Sequence, residues 1–296
     1  LLSVYAPGMQ DYSWKNTTFK APQVEDLIIY ELLLRDFSAS GDFQGLQDSI
    51  AYLQKLGVNA VELMPIQEFE GNSSWGYNPS FHFAVDKKYG SAAQLKALVD
   101  KLHAAGIAVI VDVVFNHAFS QSPFFQLYMD GGAPASDNPW LNRMAMHPFN
   151  VGYDFNHESP LTKQFVKDAL SYWTTEFKLD GYRFDLSKGF SQRNVGTSDG
   201  DVSAWSAYDA SRIALWKAYN QHIKSIQPAS YVILEHFADD REEAELAASG
   251  MLLWNNMNHA FGEALMGYNS NGQSSLKRPF KENHGFAQAH LVSYME

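Results

Sequence analysis

The run Ile107-Ala-Val-Ile-Val-Asp-Val-Val114 is apolar at every position but Asp112. A strand with one face in water alternates apolar and polar residues, and this run does not. It reads as a strand buried on both faces, which belongs to a parallel sheet clothed by helices. The rest of the chain repeats the theme. Leu27 to Leu34, Ala60 to Met64, Gly181 to Asp185, Tyr231 to Glu235, Met251 to Trp254 and Leu291 to Met295 are further short strand-like runs. Between them, Phe43 to Leu56, Leu95 to Ala105, Leu161 to Phe177, Trp205 to Ile226 and Arg241 to Ala248 have helical spacing. Gly57 and Gly106 end two of these segments. Strands alternating with helices imply right-handed parallel crossovers. The expected fold class is α/β, a (β/α)8 barrel incomplete at its C-terminus, with about seven strands where closure takes eight.

Phe115 to Pro160 breaks the rhythm. It is rich in Pro, Gly, Asn and Asp and far longer than an ordinary loop between strand and helix, so it is expected to be a small irregular excursion over one end of the barrel. The expected division is a lead-in over 1–26 from an N-terminal domain, a barrel over 27–114 and 161–296, and the insertion over 115–160. The first residue is not Met and the last lies inside a strand-like run, so both ends read as cut.

Composition narrows the partners. A net charge of −11 disfavours nucleic acid and anionic membranes, which need cations. Zero cysteines exclude disulfides and thiolate metal sites. No apolar run is long enough for a membrane span. The compartment stays open, with a secreted or periplasmic location favoured over the cytoplasm, and these features say nothing of oligomeric state.

Three carboxylates fall at or near the ends of apolar runs: Asp112, Asp185 and Glu235. In parallel β/α proteins chemistry is done at that end of the strands. Arg183 and Asp185 are two apart and share a face, so the guanidinium is expected to keep Asp185 ionised, as suits a nucleophile. Glu235 follows three apolar residues, where desolvation can raise it towards a proton donor. The pair admits a plainer reading, a structural ion pair beside a strand-end residue. Asp112, Asn116 and His117 can bind sugar hydroxyls or a hard cation, or serve as turn chemistry. Trp75 and Tyr77 can stack on sugar rings or pack their loop.

Taken together, Asp112-Val-Val-Phe-Asn-His117, Gly181-Tyr-Arg-Phe-Asp185 and Glu235 resemble the first three conserved regions of the α-amylase family, glycoside hydrolase family 13, in order and strand placement. Asp154 in Tyr153-Asp-Phe-Asn156 is similar to the family's motif closing the inserted domain, and Trp75-Gly-Tyr77 resembles its loop around the attacked sugar. The resemblance spans roughly residues 27 to 296. It implies a retaining glycosidase acting on α-glucans, with Asp185 the nucleophile, Glu235 the acid/base and Arg183 the residue that orients Asp185. It further implies that Tyr77, Trp75, Asp112 and His117 line the substrate site, and that Lys188 contacts the sugar on the leaving side. His236, next to Glu235, joins the substrate-binding candidates. Asn116 matches a position that binds calcium in many members, with Asp154 a second candidate, so Ca²⁺ is a possible cofactor and no organic cofactor is expected.

The departure from the pattern is the family's fourth region, a His-Asp pair after the seventh strand. Tyr294-Met-Glu296 resembles the approach to it. A polypeptide ending there is expected to lack one catalytic carboxylate and most of its hydrolytic activity. A debranching or glucan-transferring member, or a non-catalytic glucan-binding relative, are the rival readings. Retention of both Asp185 and Glu235 disfavours the last.

Overall fold

A computed structural model describes residues 11–191 and 193–295. Seven parallel strands form one curled sheet: β1 (Ile29–Leu32), β2 (Ala60–Leu63), β3 (Ala108–Val113), β4 (Gly181–Phe184), β5 (Tyr231–Leu234), β6 (Leu252–Asn256) and β7 (Leu291–Tyr294). Their order in space is their order in the chain. Among the described residues β1 and β7 are not joined, so the sheet is an incomplete barrel, as the alternation of elements implied.

The helices are α1 (Phe43–Asp48), α2 (Ile50–Leu56), α3 (Ala92–Ala104), α4 (Pro160–Phe177), α5 (Ala210–Ile226), α6 (Asp240–Ala248) and α7 (Asn258–Met266), with shorter turns between. None is long and apolar enough to cross a membrane. Side-chain caps explain where several begin. Ser91 and Gln94 form a capping box on α3, and the Asp209 carboxylate accepts the Ser211 amide at 2.9 Å on α5. The same chemistry divides what the sequence suggested were single helices. Ser49 separates α1 from α2 with its hydroxyl turned back on the Gly45 carbonyl at 2.8 Å, and the Asp209 cap starts α5 afresh after a short turn at Val202–Ser206. The first strand is shorter than expected because Leu34 already begins a one-turn helix. The helix α7 was not expected.

Alternation along each strand sorts side chains into two layers. Val109, Val111, Val113, Tyr182, Phe184, Val232 and Leu234 face the helices and pack with residues such as Leu98, Trp173 and Trp216. Ala60, Ala108, Ile110, Tyr231, Ile233 and Leu252 face inward. The register makes the interior a stack. Glu31, Glu62 and Ile110 are level with one another; Asp112, Arg183, Ile233 and Leu252 form the next level up. Gly181 is required low in this stack, since a Cβ there would lie 2.6 Å from that of Tyr231.

Residues 11–27 close the amino end of the barrel. The Lys15 and Asn16 amides each donate to the Asp100 carboxylate at 2.8 Å, Phe19 stacks on His103, and Val24 and Leu27 pack into the inward cluster. The first ten residues of the lead-in segment, and Glu296, lie outside the described residues. At the other end, two excursions leave the carboxyl ends of β2 and β3. The first contains a hairpin of Gln67–Phe69 with Pro79–Val85 and carries Trp75 and Tyr77. The second runs over 115–160. It pairs His117–Ala118 with Tyr153–Asp154 and Met129–Asp130 with Ala133–Pro134 around a small core of Ala118, Phe125, Leu141 and Phe155.

Candidate active site

The carboxyl end of the sheet opens into a cavity of about 1110 Å³ that runs out between β1 and β7. Trp75, Tyr77, Arg183, Asp185, Glu235 and Trp254 are among the residues lining it. Arg183 is the centre of the arrangement and is almost wholly buried. Its Nη1 donates to Asp112 Oδ2 at 2.8 Å and to Asp185 Oδ1 at 3.2 Å. Its Nη2 pairs with Glu235 Oε2 at 2.9 Å, and the guanidinium lies over the Trp254 ring, 3.9 Å from the centroid. The Leu186 amide, next to Asp185, also donates to Glu235 Oε2, at 2.9 Å. Asp185 and Glu235 therefore sit side by side on one cation, brought there by adjacent strands.

The charge count differs from the sequence expectation. One guanidinium serves three carboxylates, and the buried Glu62 lies just below. Burial raises Glu62 well above the usual range, opposed by the Arg183 charge. Desolvation also raises Asp185, to about 8, and the negative charges of Asp112 and Glu235 add to the rise while Arg183 opposes it. Arg183 thus divides its charge among three carboxylates, and burial works against it at Asp185.

Tyr77 and His117 back the cluster. The Tyr77 hydroxyl donates to Asp112 Oδ2 at 2.7 Å, and His117 Nε2 donates to the Tyr77 carbonyl at 2.8 Å. Burial pushes His117 down to about 4, so it is neutral. Trp75 is exposed at the rim.

Two candidates point elsewhere. Lys188 does not line the cavity. Its ammonium donates to Ser206 Oγ and to the Phe237 carbonyl, both at 2.9 Å, and lies over Trp205. Desolvation, with Arg212 next, brings it down to about 8. His236 is fully buried behind the site, bonded to Ser187 Oγ at 2.9 Å and to Glu242 Oε1 at 2.8 Å. The strand ends at Leu234 and the chain turns there, which leaves Glu235 at the cavity and carries His236 behind it. Its placement among the substrate-binding residues is corrected to a buried structural one.

Asn116 and Asp154 meet beneath the 115–160 excursion, beside His147. Asn116 Oδ1, Asp154 Oδ1 and His147 Nε2 are buried without a hydrogen-bond partner, and the last two are 3.5 Å apart. A Cβ on Gly189 would come 1.8 Å from Asn116 Oδ1 and 2.7 Å from His147 Nε2, so glycine keeps this space open. Two oxygen donors and one imidazole nitrogen aimed at each other fit a small cation. His147 had not been singled out. Neither had Trp254 and Glu62, although polar or aromatic residues at inward positions of apolar strands were a usable signal for both.

The chain is similar to known proteins over part of their length. An intracellular maltogenic amylase of Bacillus subtilis is 27% identical over 99% of this chain and 45% of its own. A malto-oligosyltrehalose trehalohydrolase of Saccharolobus solfataricus is 33% identical over 59% of this chain and 30% of its own. Among solved structures, a pullulanase of Paenibacillus barengoltzii in complex with maltohexaose and α-cyclodextrin superposes with a TM-score of 0.62 at 22% identity, covering 80% of this chain and 40% of that one, a likeness of fold alone. The chain thus spans less than half the length of these relatives. The profile of the α-amylase catalytic domain matches residues 13–142 and 137–290, and the chain belongs to the α-amylase family.

Proposed function

We propose that this chain is the catalytic part of a retaining glycosidase acting on α-glucans. The observation that carries the reading is the convergence of Asp112, Asp185 and Glu235, from three strands, on one guanidinium at the cavity wall. Asp185, with one oxygen on Arg183, attacks the anomeric carbon with the other. Glu235 gives its proton to the departing glycosidic oxygen. The glycosyl ester on Asp185 is then hydrolysed by a water that Glu235 deprotonates. Retention needs the two carboxyl groups about 5–5.5 Å apart, and sharing one guanidinium supports such a spacing. The reaction needs a charged Asp185 beside a protonated Glu235. Tyr77 forms the wall of the attacked-sugar subsite, Asp112 and His117 hold it from behind, and Trp75 offers a stacking face at its rim.

A cation held by Asn116 and Asp154, with His147 as third donor, belongs to the same proposal. Bound there, it would brace the 115–160 excursion against the strand end that carries His117. Calcium raising the melting temperature, and losing that effect in Asp154→Asn, supports it; no shift and no heat of binding removes it.

The test of the main reading is a mechanism-based fluorosugar with a good leaving group, applied to the full-length protein. Mass spectrometry should find one glycosyl group on the peptide containing Asp185, and products should be released as the α-anomer. Inversion, or label elsewhere, overturns the assignment. Cleavage of α-1,6 bonds is the second reading. It is favoured by matches to a chloroplastic isoamylase 3 of Oryza sativa and a Bacillus subtilis pullulanase, 33% and 32% identical over 55% and 54% of this chain. Comparing products from amylose and pullulan separates the two.

A further inference from the structure

Three donor side chains that the proposed reaction does not use converge behind the Glu235 strand. Asp240 and Glu243 are three apart in the first turns of α6 and so share a face. His284 reaches them from the stretch between α7 and β7. One ligand atom from each lies within 4.8 Å of the others. Glu243 and His284 are buried, and Asp240 is at the surface.

The histidine defines what the cluster lacks. His284 Nε2 lies 2.8 Å from the Arg278 carbonyl oxygen, which can only accept, so Nε2 carries the hydrogen. In the neutral ring Nδ1 then presents a bare lone pair. That nitrogen is buried with no hydrogen-bond partner, and it faces Asp240 Oδ1 at 3.9 Å. A lone pair opposed to two carboxylates is repulsive unless a proton or a metal ion lies between them. The Ala238 amide satisfies one Glu243 oxygen at 3.0 Å but does not reach the histidine. The Arg278 side chain is close enough to act electrostatically on Glu243 and His284, yet no ion pair ties it to either carboxylate among the described residues.

We propose that Asp240, Glu243 and His284 form a binding site for a divalent transition-metal ion of the zinc class. One imidazole nitrogen and two carboxylate oxygens are a donor set that zinc accepts. The Arg278 carbonyl is the outer partner that sets the ring's orientation and tautomer. Three protein donors leave room for water. The ion takes no part in hydrolysis. It fastens the α6 N-terminus, only a few residues beyond Glu235, to the long connection before β7.

The test is calorimetric titration of untagged, metal-stripped full-length protein with Zn²⁺, with melting curves alongside. Wild type should take up one Zn²⁺ at this site and melt higher with it. His284→Gln and Glu243→Gln should each weaken that uptake by more than about tenfold, the lower end of the loss from removing even an outer-shell partner. Asp154→Asn, which alters the other candidate cation site, should leave the zinc affinity unchanged. Glu243→Gln keeps the acceptor for the Ala238 amide, so it remains informative if the histidine variant folds poorly. No zinc uptake by wild type overturns the proposal. So does uptake that survives both cluster variants, or uptake lost with Asp154→Asn.

Discussion

Two buried arginines, Arg183 and Arg212, show how one kind of ion pair can serve opposite ends. Arg212 meets a single carboxylate in a bidentate grip, Nε to Glu242 Oε1 at 2.6 Å and Nη2 to Oε2 at 2.8 Å. Its remaining donors go to the carbonyls of Lys188, Trp205 and Ala207. Burial disfavours the Glu242 charge, yet the bonds from His236 and Arg212 bring its carboxyl below the usual value. Arg183 meets three carboxylates, its own Nε lacks a partner, and so does Asp112 Oδ1. There Asp185 rises to about 8 instead. The first arginine is a rivet. The second leaves acceptors in excess and a proton in residence, the condition that acid–base chemistry requires.

The largest test of that contrast is Asp185→Asn. In the full-length protein it should lower kcat by at least about 10⁴-fold, as removal of a nucleophile acting within a unit does. A loss under tenfold would make the mouth cluster as structural as the other. Next come the arginines themselves. Arg212→Met strands Glu242 in the core and should cost about 3–5 kcal/mol in urea unfolding while leaving the shape of the pH–rate profile alone. Arg183→Met should instead move the acidic limb of kcat/KM to higher pH, because its carboxylates answer loss of the cation by holding protons. Identical behaviour of the two variants would erase the distinction.

Two smaller effects sharpen it. Tyr77→Phe removes a donor from Asp112 and should lower kcat/KM by about 10–100-fold, the worth of a hydrogen bond to a charged group, with little change in melting temperature. The last effect is on stability. The folded Asp185 titrates at about 8 against an ordinary 3.8, so between those values the folded chain holds a proton that the unfolded chain has released. Its contribution is present below pH 4 and is lost as pH rises through 8. Asp185→Asn should therefore melt above wild type at pH 8, with the gap shrinking towards pH 4. A gap that widens on acidification would contradict the raised value.

These pairings were unevenly legible. Arg183 and Asp185 could be placed on one face because strand periodicity is two. The Arg212–Glu242 pair could not, because its members lie on separate helices and no local pattern links them. His236 was misread because the strand ends at Leu234 and the chain then turns, with Phe237 at a φ of 50°, so adjacency to Glu235 said nothing of direction. Lys188 lies in a short turn, and its bonds to Ser206 and the Phe237 carbonyl join segments that no local pattern links. The division of Arg183's charge was illegible in principle, since counting carboxylates around a cation needs all three strands in place.

The order of the strands reaches beyond the site. Among the described residues each strand from β2 to β7 pairs with the one made just before it. A ribosome delivers such a sheet in the sequence in which it is assembled, and every new strand finds a template already laid down. The three carboxylates arrive in the same order, on β3 and just past the ends of β4 and β5. Asp112 and Arg183 can pair before Glu235 has left the tunnel, so the cluster is built outward from its one cation as the chain is made.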